Sequence, residues 1–379
     1  MMEEKKVGYI ELIYDLVFVY MVGRDTELLE SFSNGFINAR AFAIYIVCTV
    51  SIIQIWNFTT FYINMFGRNS LRDHIFLLLN MYLMFFIGEA TRTDIIYISL
   101  YHIPWALILA NIGLQYVIEL RNHKADVWNR DFIQRMAVTL FTEAALVFIV
   151  SFLSESASML ISLIAIAVSI LLTFVDRKRS AGGQVNFMHL TERAMLYVVL
   201  TFGEMIIAVA GFFKGAGRGL SVPMIYYSVF TFLIPVGLFL SYEILYEHLV
   251  DREGNYNGLA YMCIHIFILF ALNNITASIH FMRNHEVADM PKVMFLAVSV
   301  VGYFLFLFLL RGHFKIRFQK DRRVLAGLGI LSGVFLAFMA LFYSNMKWNI
   351  VITTAYTFMV LIILHRMNAM REKKMKKYL

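Results

Sequence analysis

Glu11 and Asp15 stand four residues apart in IELIYDLVFVY, residues 10 to 20, with Tyr14 beside Asp15 in a run otherwise apolar enough to enter a bilayer. On a helix that spacing puts both carboxylates on one face. Two carboxylates held together out of water repel each other, so such a pair can take up a proton or a cation. A second charged run, FMHLTERAMLYVVLTFGEMIIAV at residues 187 to 209, carries His189, Glu192 and Arg193 at i, i+3 and i+4. Glu204 follows about three turns after Arg193 and returns to that face. All four are expected to look into the protein, with Arg193 or His189 as partner to Glu11 and Asp15. Each has a structural alternative: Glu11 as a cap or anchor near Lys5 and Lys6, Glu192 and Arg193 as a plain ion pair. Asp15 and Glu204 resist that reading, because a charge inside an apolar span costs several kcal/mol unless it faces the bundle interior and finds a partner.

Further polar positions sit in the second part of the chain. Glu243, in SYEILYEHL, follows Pro235, which removes a backbone hydrogen bond and can turn a helix toward a cavity. Glu247 and His248 read as the helix end nearing the cytoplasm. His265 lies inside an apolar span, as either a hydrogen-bonding group or a proton carrier. Glu89, Glu119 and Glu143 are assigned to span ends or interhelical contacts. Cys48 and Cys263 lie singly in apolar spans, where a thiol behaves as a small hydrophobe. There is no HExxH, no cysteine pair and no phosphate-binding loop, so neither a cofactor nor a catalytic set is expected, and the question of a metal stays open.

The elements that carry these residues follow from composition. Of 379 residues, 60% are hydrophobic and 16% charged, and the mean hydropathy is +0.69, which excludes an ordinary soluble domain. Each crossing takes about 20 apolar residues, and twelve candidate spans are found. They run roughly 8–23, 38–64, 72–91, 95–120, 132–153, 157–175, 188–212, 222–248, 257–281, 291–311, 323–343 and 348–366. The fold class is therefore an all-α polytopic membrane protein. Most of the 33 Lys and Arg, including Arg177–Arg179 and the tail REKKMKKYL, fall on one side, which places both termini in the cytoplasm. Those basic loops suit anionic lipid headgroups, and with no soluble domain to gather them a nucleic-acid partner is not expected. Laying IELIYDLVFVYM over LTERAMLYVVLTF aligns Glu11 with Glu192, and the offset continues downstream. This predicts two parallel six-helix repeats, 1–180 and 181–379, related by an axis along the membrane normal.

The pairing of ELIYDLVFV with HLTERAMLYVVLTFGE resembles the low temperature requirement A (LtrA) family of bacterial membrane proteins, whose members carry similar E-L-F-F-D-L-V-F-V and H-L-x-E-R-F-x-L-F-x-I-x-x-L-G-E stretches. The likeness extends over most of the chain. On it Glu11, Asp15, His189, Glu192, Arg193, Gly203 and Glu204 fall on motif positions, while Tyr14, Thr191, Ala194 and Met195 depart from the usual pattern. The resemblance implies a bacterial inner-membrane protein named for a growth phenotype in the cold, and it gives no reaction.

Three functions remain open on these grounds. The first is a secondary transporter of a small solute or ion, proton-coupled, with carboxylates of the first and seventh spans lining a cavity between the halves. The second is a membrane sensor or scaffold held by buried ion pairs. The third is an intramembrane enzyme acting on lipid, with Glu11, Glu243 and His248 as its interfacial groups.

Overall fold

Gly8 donates its backbone N–H to Glu11 Oε1 at 3.3 Å, and this contact opens the first helix, α1 (Tyr9–Asp25). The computed structural model describes residues 7–91, 98–122, 127–174, 185–211, 221–254, 256, 258–282, 286–315 and 322–375. The Arg177–Arg179 run, the 180/181 division and the last four residues of the basic tail lie outside them. After α1 come a short 3-10 turn, Thr26–Glu30, and a hairpin of two-residue strands, β1 (Phe32–Ser33) and β2 (Phe36–Ile37). Asn34 and Gly35 hold positive φ values of 53° and 79° at its tip, the conformation an Asn-Gly turn supplies with little strain.

Long helices make up the rest. They are α2 (Ala39–Phe66), α3 (Leu71–Ala90), α4 (Ile98–Asn122), α5 (Val127–Val150), α6 (Glu155–Phe174), α7 (Phe187–Ala210), α8 (Val222–Ile244), α9 (Leu259–Phe281), α10 (Asp289–Leu309), α11 (Arg322–Leu341) and α12 (Met346–Met375). Their starts are set by local chemistry. Asn38 caps α2 through the Arg40 and Ala41 amides. Ser70 and Asp73 cap each other's backbone N–H at the start of α3, and Asp73 also takes the Arg68 amide at 2.9 Å. Ser221 caps α8 ahead of Pro223 in the first turn. Helix α8 closes in a π turn, Leu245–Leu249.

The described residues thus form an all-helical chain of twelve α-helices, ten of them long and apolar enough to cross a membrane. The two others are α6, whose apolar run covers Ala157–Leu172, and α1, whose 17 residues span about 26 Å and include four charges. Apolar side chains dominate the outward faces, with Leu78, Tyr82 and Phe85 on α3 and Ile13, Leu16 and Tyr20 on α1 all exposed. The opposite face of α1 buries Glu11, Tyr14, Asp15 and Phe18. Polar inside and apolar outside is the arrangement a hydrocarbon solvent demands.

The chain divides into two compact units. The first holds residues 1–31, 37–197 and 252–266. Here α1 packs on α2 and α3, α2 on α4 and α6, and α3, α4, α5 and α6 pack in succession. At Gly88 an added Cβ would lie 2.6 Å from Met21 Sδ, so α1 and α3 meet closely. The second unit holds residues 32–36, 198–251 and 267–379. In it α8 packs on α12, and α10 and α12 pack on α11. Gly237 of α8 lies against Thr357 of α12, whose Oγ1 would be 2.7 Å from an added Cβ. The Tyr303 hydroxyl of α10 donates to the Leu238 carbonyl at 3.0 Å, and the strand-like pairing of Val250 with Phe314 ties the end of α8 to the turn after α10.

Candidate functional site

Asp15 and Arg193 are both fully buried, and each satisfies the other. Arg193 Nε donates to Asp15 Oδ2 at 3.0 Å, and an Nη of the same guanidinium donates to Oδ1. This two-pronged geometry is what a planar guanidinium offers a carboxylate. Trp56 Nε1, from α2, adds a third hydrogen bond to Asp15 Oδ1 at 2.7 Å. The other Nη of Arg193 donates to Glu11 Oε2. Glu11 therefore does both things foreseen for it: Oε1 caps α1 at Gly8 while Oε2 joins the ion pair. Two helical periods produce this meeting. Glu11 and Asp15 are one turn apart on α1, and His189, Arg193 and Tyr197 follow at four-residue intervals on the buried face of α7.

His189 stands next to the pair. Its Nε2 is 3.8 Å from Glu11 Oε2, and its Nδ1 is 3.1 Å from the Asn64 side-chain amide. Asn64 also grips the start of α7 twice, donating to the Asn186 carbonyl at 2.8 Å and accepting the Asn186 N–H at 3.1 Å. Asn186 in turn caps α7 by accepting the His189 N–H through Oδ1. On the other side of Asp15, the Tyr14 hydroxyl meets Thr59 at 2.9 Å and receives Asn80, which receives Asn111 at 2.7 Å. A single chain of hydrogen bonds thus joins α1, α2, α3 and α4.

The charges of the centre do not cancel on their own. Two carboxylates face one permanent cation, and burial makes the surplus negative charge costly. One further positive charge makes the centre neutral.

The other expected residues fall elsewhere. Glu192 is only partly buried, and the close contacts of Arg193 are Glu11 and Asp15. Glu204 is half-buried among the exposed Gly203, Ile206 and Ile207, with no ion pair among the described residues. The expectation that it looks inward with Arg193 is therefore met only in part. Glu243 is exposed: the helix presents Ser241 and Tyr242 inward and turns Glu243 away, so Pro235 aims no acid at a cavity. His265 is buried and donates from Nδ1 to the Tyr261 carbonyl at 2.8 Å. Glu119 takes Arg72 at 2.6 Å and Asn122 at 2.9 Å, the interhelical role foreseen for it.

Sequence reasoning passed over Trp56, Asn64 and Asp25. Asp25 closes α1, buried, with Thr49 donating to it at 3.4 Å. A signal was present in α2, where Ser51, Gln54, Asn57, Thr60 and Asn64 recur at three- and four-residue steps and are all buried. Such a stripe inside a span marks the face turned to the interior. Among the described residues no group of three or more His, Cys, Asp and Glu is placed to hold a metal ion.

A family model described as bacterial low temperature requirement A protein (LtrA) matches residues 6–365, nearly the whole chain. No curated protein matches, and no solved structure matches.

Proposed function

The chain belongs to the bacterial low temperature requirement A (LtrA) family, and from that premise we propose that it is a secondary transporter of a small solute or ion in the bacterial cytoplasmic membrane. Transport is coupled to a proton bound at the centre formed by Glu11, Asp15, His189 and Arg193. The observation that carries this reading is the charge count: two buried carboxylates converge on one guanidinium, with His189 Nε2 3.8 Å from the second carboxylate. One acid already balances one base, and this centre carries a second. The extra acid, with a histidine beside it, is where this reading seats the coupled proton.

In this reading the chain makes twelve crossings in two six-helix repeats, 1–180 and 181–379, with both termini in the cytoplasm. The basic loops rest on anionic lipid, and the bilayer itself is the main partner. Glu204, half-buried and without an ion pair among the described residues, is a second acid on the solute or proton pathway.

The test is proton movement in proteoliposomes loaded with a pH dye and challenged with a panel of small solutes and ions. The wild type acidifies the lumen with one of them, and Glu11→Gln abolishes the signal while the protein still folds. A Glu11→Gln protein that keeps full proton movement removes the coupling role from this centre. One feature favours a second reading, that of a structural clamp in a sensor or scaffold: both Asp15 oxygens are satisfied and Arg193 is wholly enclosed. That reading predicts lower melting temperature for Asp15→Asn, with no flux in the wild type to lose.

A further inference from the structure

Glu143 stands within α5, 1% exposed, and among the described residues no cationic side chain lies within ion-pair distance of it. Its neighbours donate to it. Gln54 Nε2 reaches Glu143 Oε2 at 3.4 Å and Ser169 Oγ at 2.7 Å. The Ser169 hydroxyl, having accepted from Gln54, hydrogen-bonds the Glu143 carboxyl. Two helices, α2 and α6, thus each aim one donor at the carboxylate of α5. Its second oxygen, Oε1, has no hydrogen-bond partner, and the same is true of Gln54 Oε1 and of Asn57 Oδ1 one turn along α2. Gln54 and Asn57 line a cavity of about 30 Å³ together with Met136, Ile170, Met262 and Cys263.

Partnerless oxygens enclosed in apolar surroundings are costly, and a lone carboxylate more so, unless positive charge joins them. We propose that Glu143, with Gln54 and Ser169, is a binding site for one small monovalent cation, a proton or a sodium ion. The donor set consists of oxygens and supplies one formal negative charge. A divalent ion would leave an unbalanced buried charge, and transition metals prefer nitrogen and sulfur ligands that the carboxylate's neighbours do not supply. The neighbouring cavity, about 30 Å³ and faced by apolar surface, is too small for an organic ammonium. Titratable groups on the packed elements include Cys48 and Tyr62 of α2, Tyr101, His102 and Tyr116 of α4, Arg135 of α5 and Cys263 of α9. None forms an ion pair with Glu143, and His102 is engaged with Ser162 at 2.9 Å. The inference is independent of the reading given to the Glu11 centre.

The experiment is modification of the purified full chain by dicyclohexylcarbodiimide, which attacks protonated carboxyls in apolar surroundings, followed by peptide mass spectrometry. We expect Glu143 to be modified. Sodium chloride slowing the modification several-fold relative to choline chloride identifies sodium. Slowing by raised pH alone, with sodium without effect, identifies the proton. A companion measurement follows the melting temperature with added sodium or changing pH, in wild type and in Glu143→Gln, since a bound cation stabilises the folded state. Glu143 left unmodified, or modified at a rate indifferent to both pH and sodium, with the two proteins melting alike under every condition, overturns the proposal.

Discussion

Arg193 and Asp15 lie 178 residues apart in the chain and meet through two parallel hydrogen bonds, Nε to Oδ2 and Nη to Oδ1. Removing the cation leaves two buried carboxylates facing each other, so Arg193→Met is expected to cost about 3–5 kcal/mol, the usual penalty for an orphaned buried charge. Arg193→Lys keeps the charge and loses the fork, because an ammonium cannot serve Asp15 twice and Glu11 as well. It should fall between Arg193→Met and wild type in thermal unfolding. Equal melting of all three proteins would contradict the clamp geometry.

Asn64 holds both backbone groups of Asn186 and one nitrogen of His189. Asn64→Ala strips partners from all of them at a partly buried helix start, with an expected loss of about 1–3 kcal/mol. Asn64→Asp retains an acceptor for the Asn186 N–H and loses the donor to its carbonyl, so it should recover part of that loss. Circular dichroism melts of the two variants make the comparison.

Glu204 has no ion pair among the described residues and is half-buried. Glu204→Gln is therefore expected to change stability by no more than about 0.5 kcal/mol. If the residue lies on the transport pathway, the same substitution lowers solute-driven proton movement severely in proteoliposomes. Unchanged movement in a stably folded variant would exclude it from the pathway.

Gly237 allows α8 to approach α12 at Thr357. A methyl group there would lie 2.7 Å from Thr357 Oγ1 and 3.0 Å from its Cβ, atoms on a stiff β-branched side chain. Gly237→Ala should cost about 1–3 kcal/mol through overpacking, and the double variant with Thr357→Ser should regain some of it. Denaturation of the single and double variants checks this.

The charged residues of α1 and α7 were legible because a carboxylate or guanidinium in an apolar span is expensive, and four-residue spacing fixes its face. That logic reached Glu11, Asp15, His189 and Arg193, and the structure brings these four together. It did not reach Trp56 and Asn64, since an indole or a single amide is commonplace in a 28-residue helix such as α2 and only a long-range contact reveals its use. Glu243 shows the opposite weakness. Its depth in a span was readable, but one step of about 100° around the helix separates the buried Tyr242 from the exposed Glu243. Helix ends followed the same division. The expected 188–212 and 257–281 lie close to α7 and α9, whereas α12 runs on to Met375 because a basic tail continues a helix beyond the apolar stretch used to find it.

Glu11 spends one oxygen on the Gly8 amide and the other on an arginine 182 residues away. The first turn of α1 and that arginine therefore share one carboxylate. Amide hydrogen exchange at Gly8, which a helix terminus would ordinarily leave fast, is expected to be slower in the wild type than in Arg193→Met, where Glu11 is no longer held. A protein segment at the chain's beginning thereby becomes a reporter of whether its distant contact is closed.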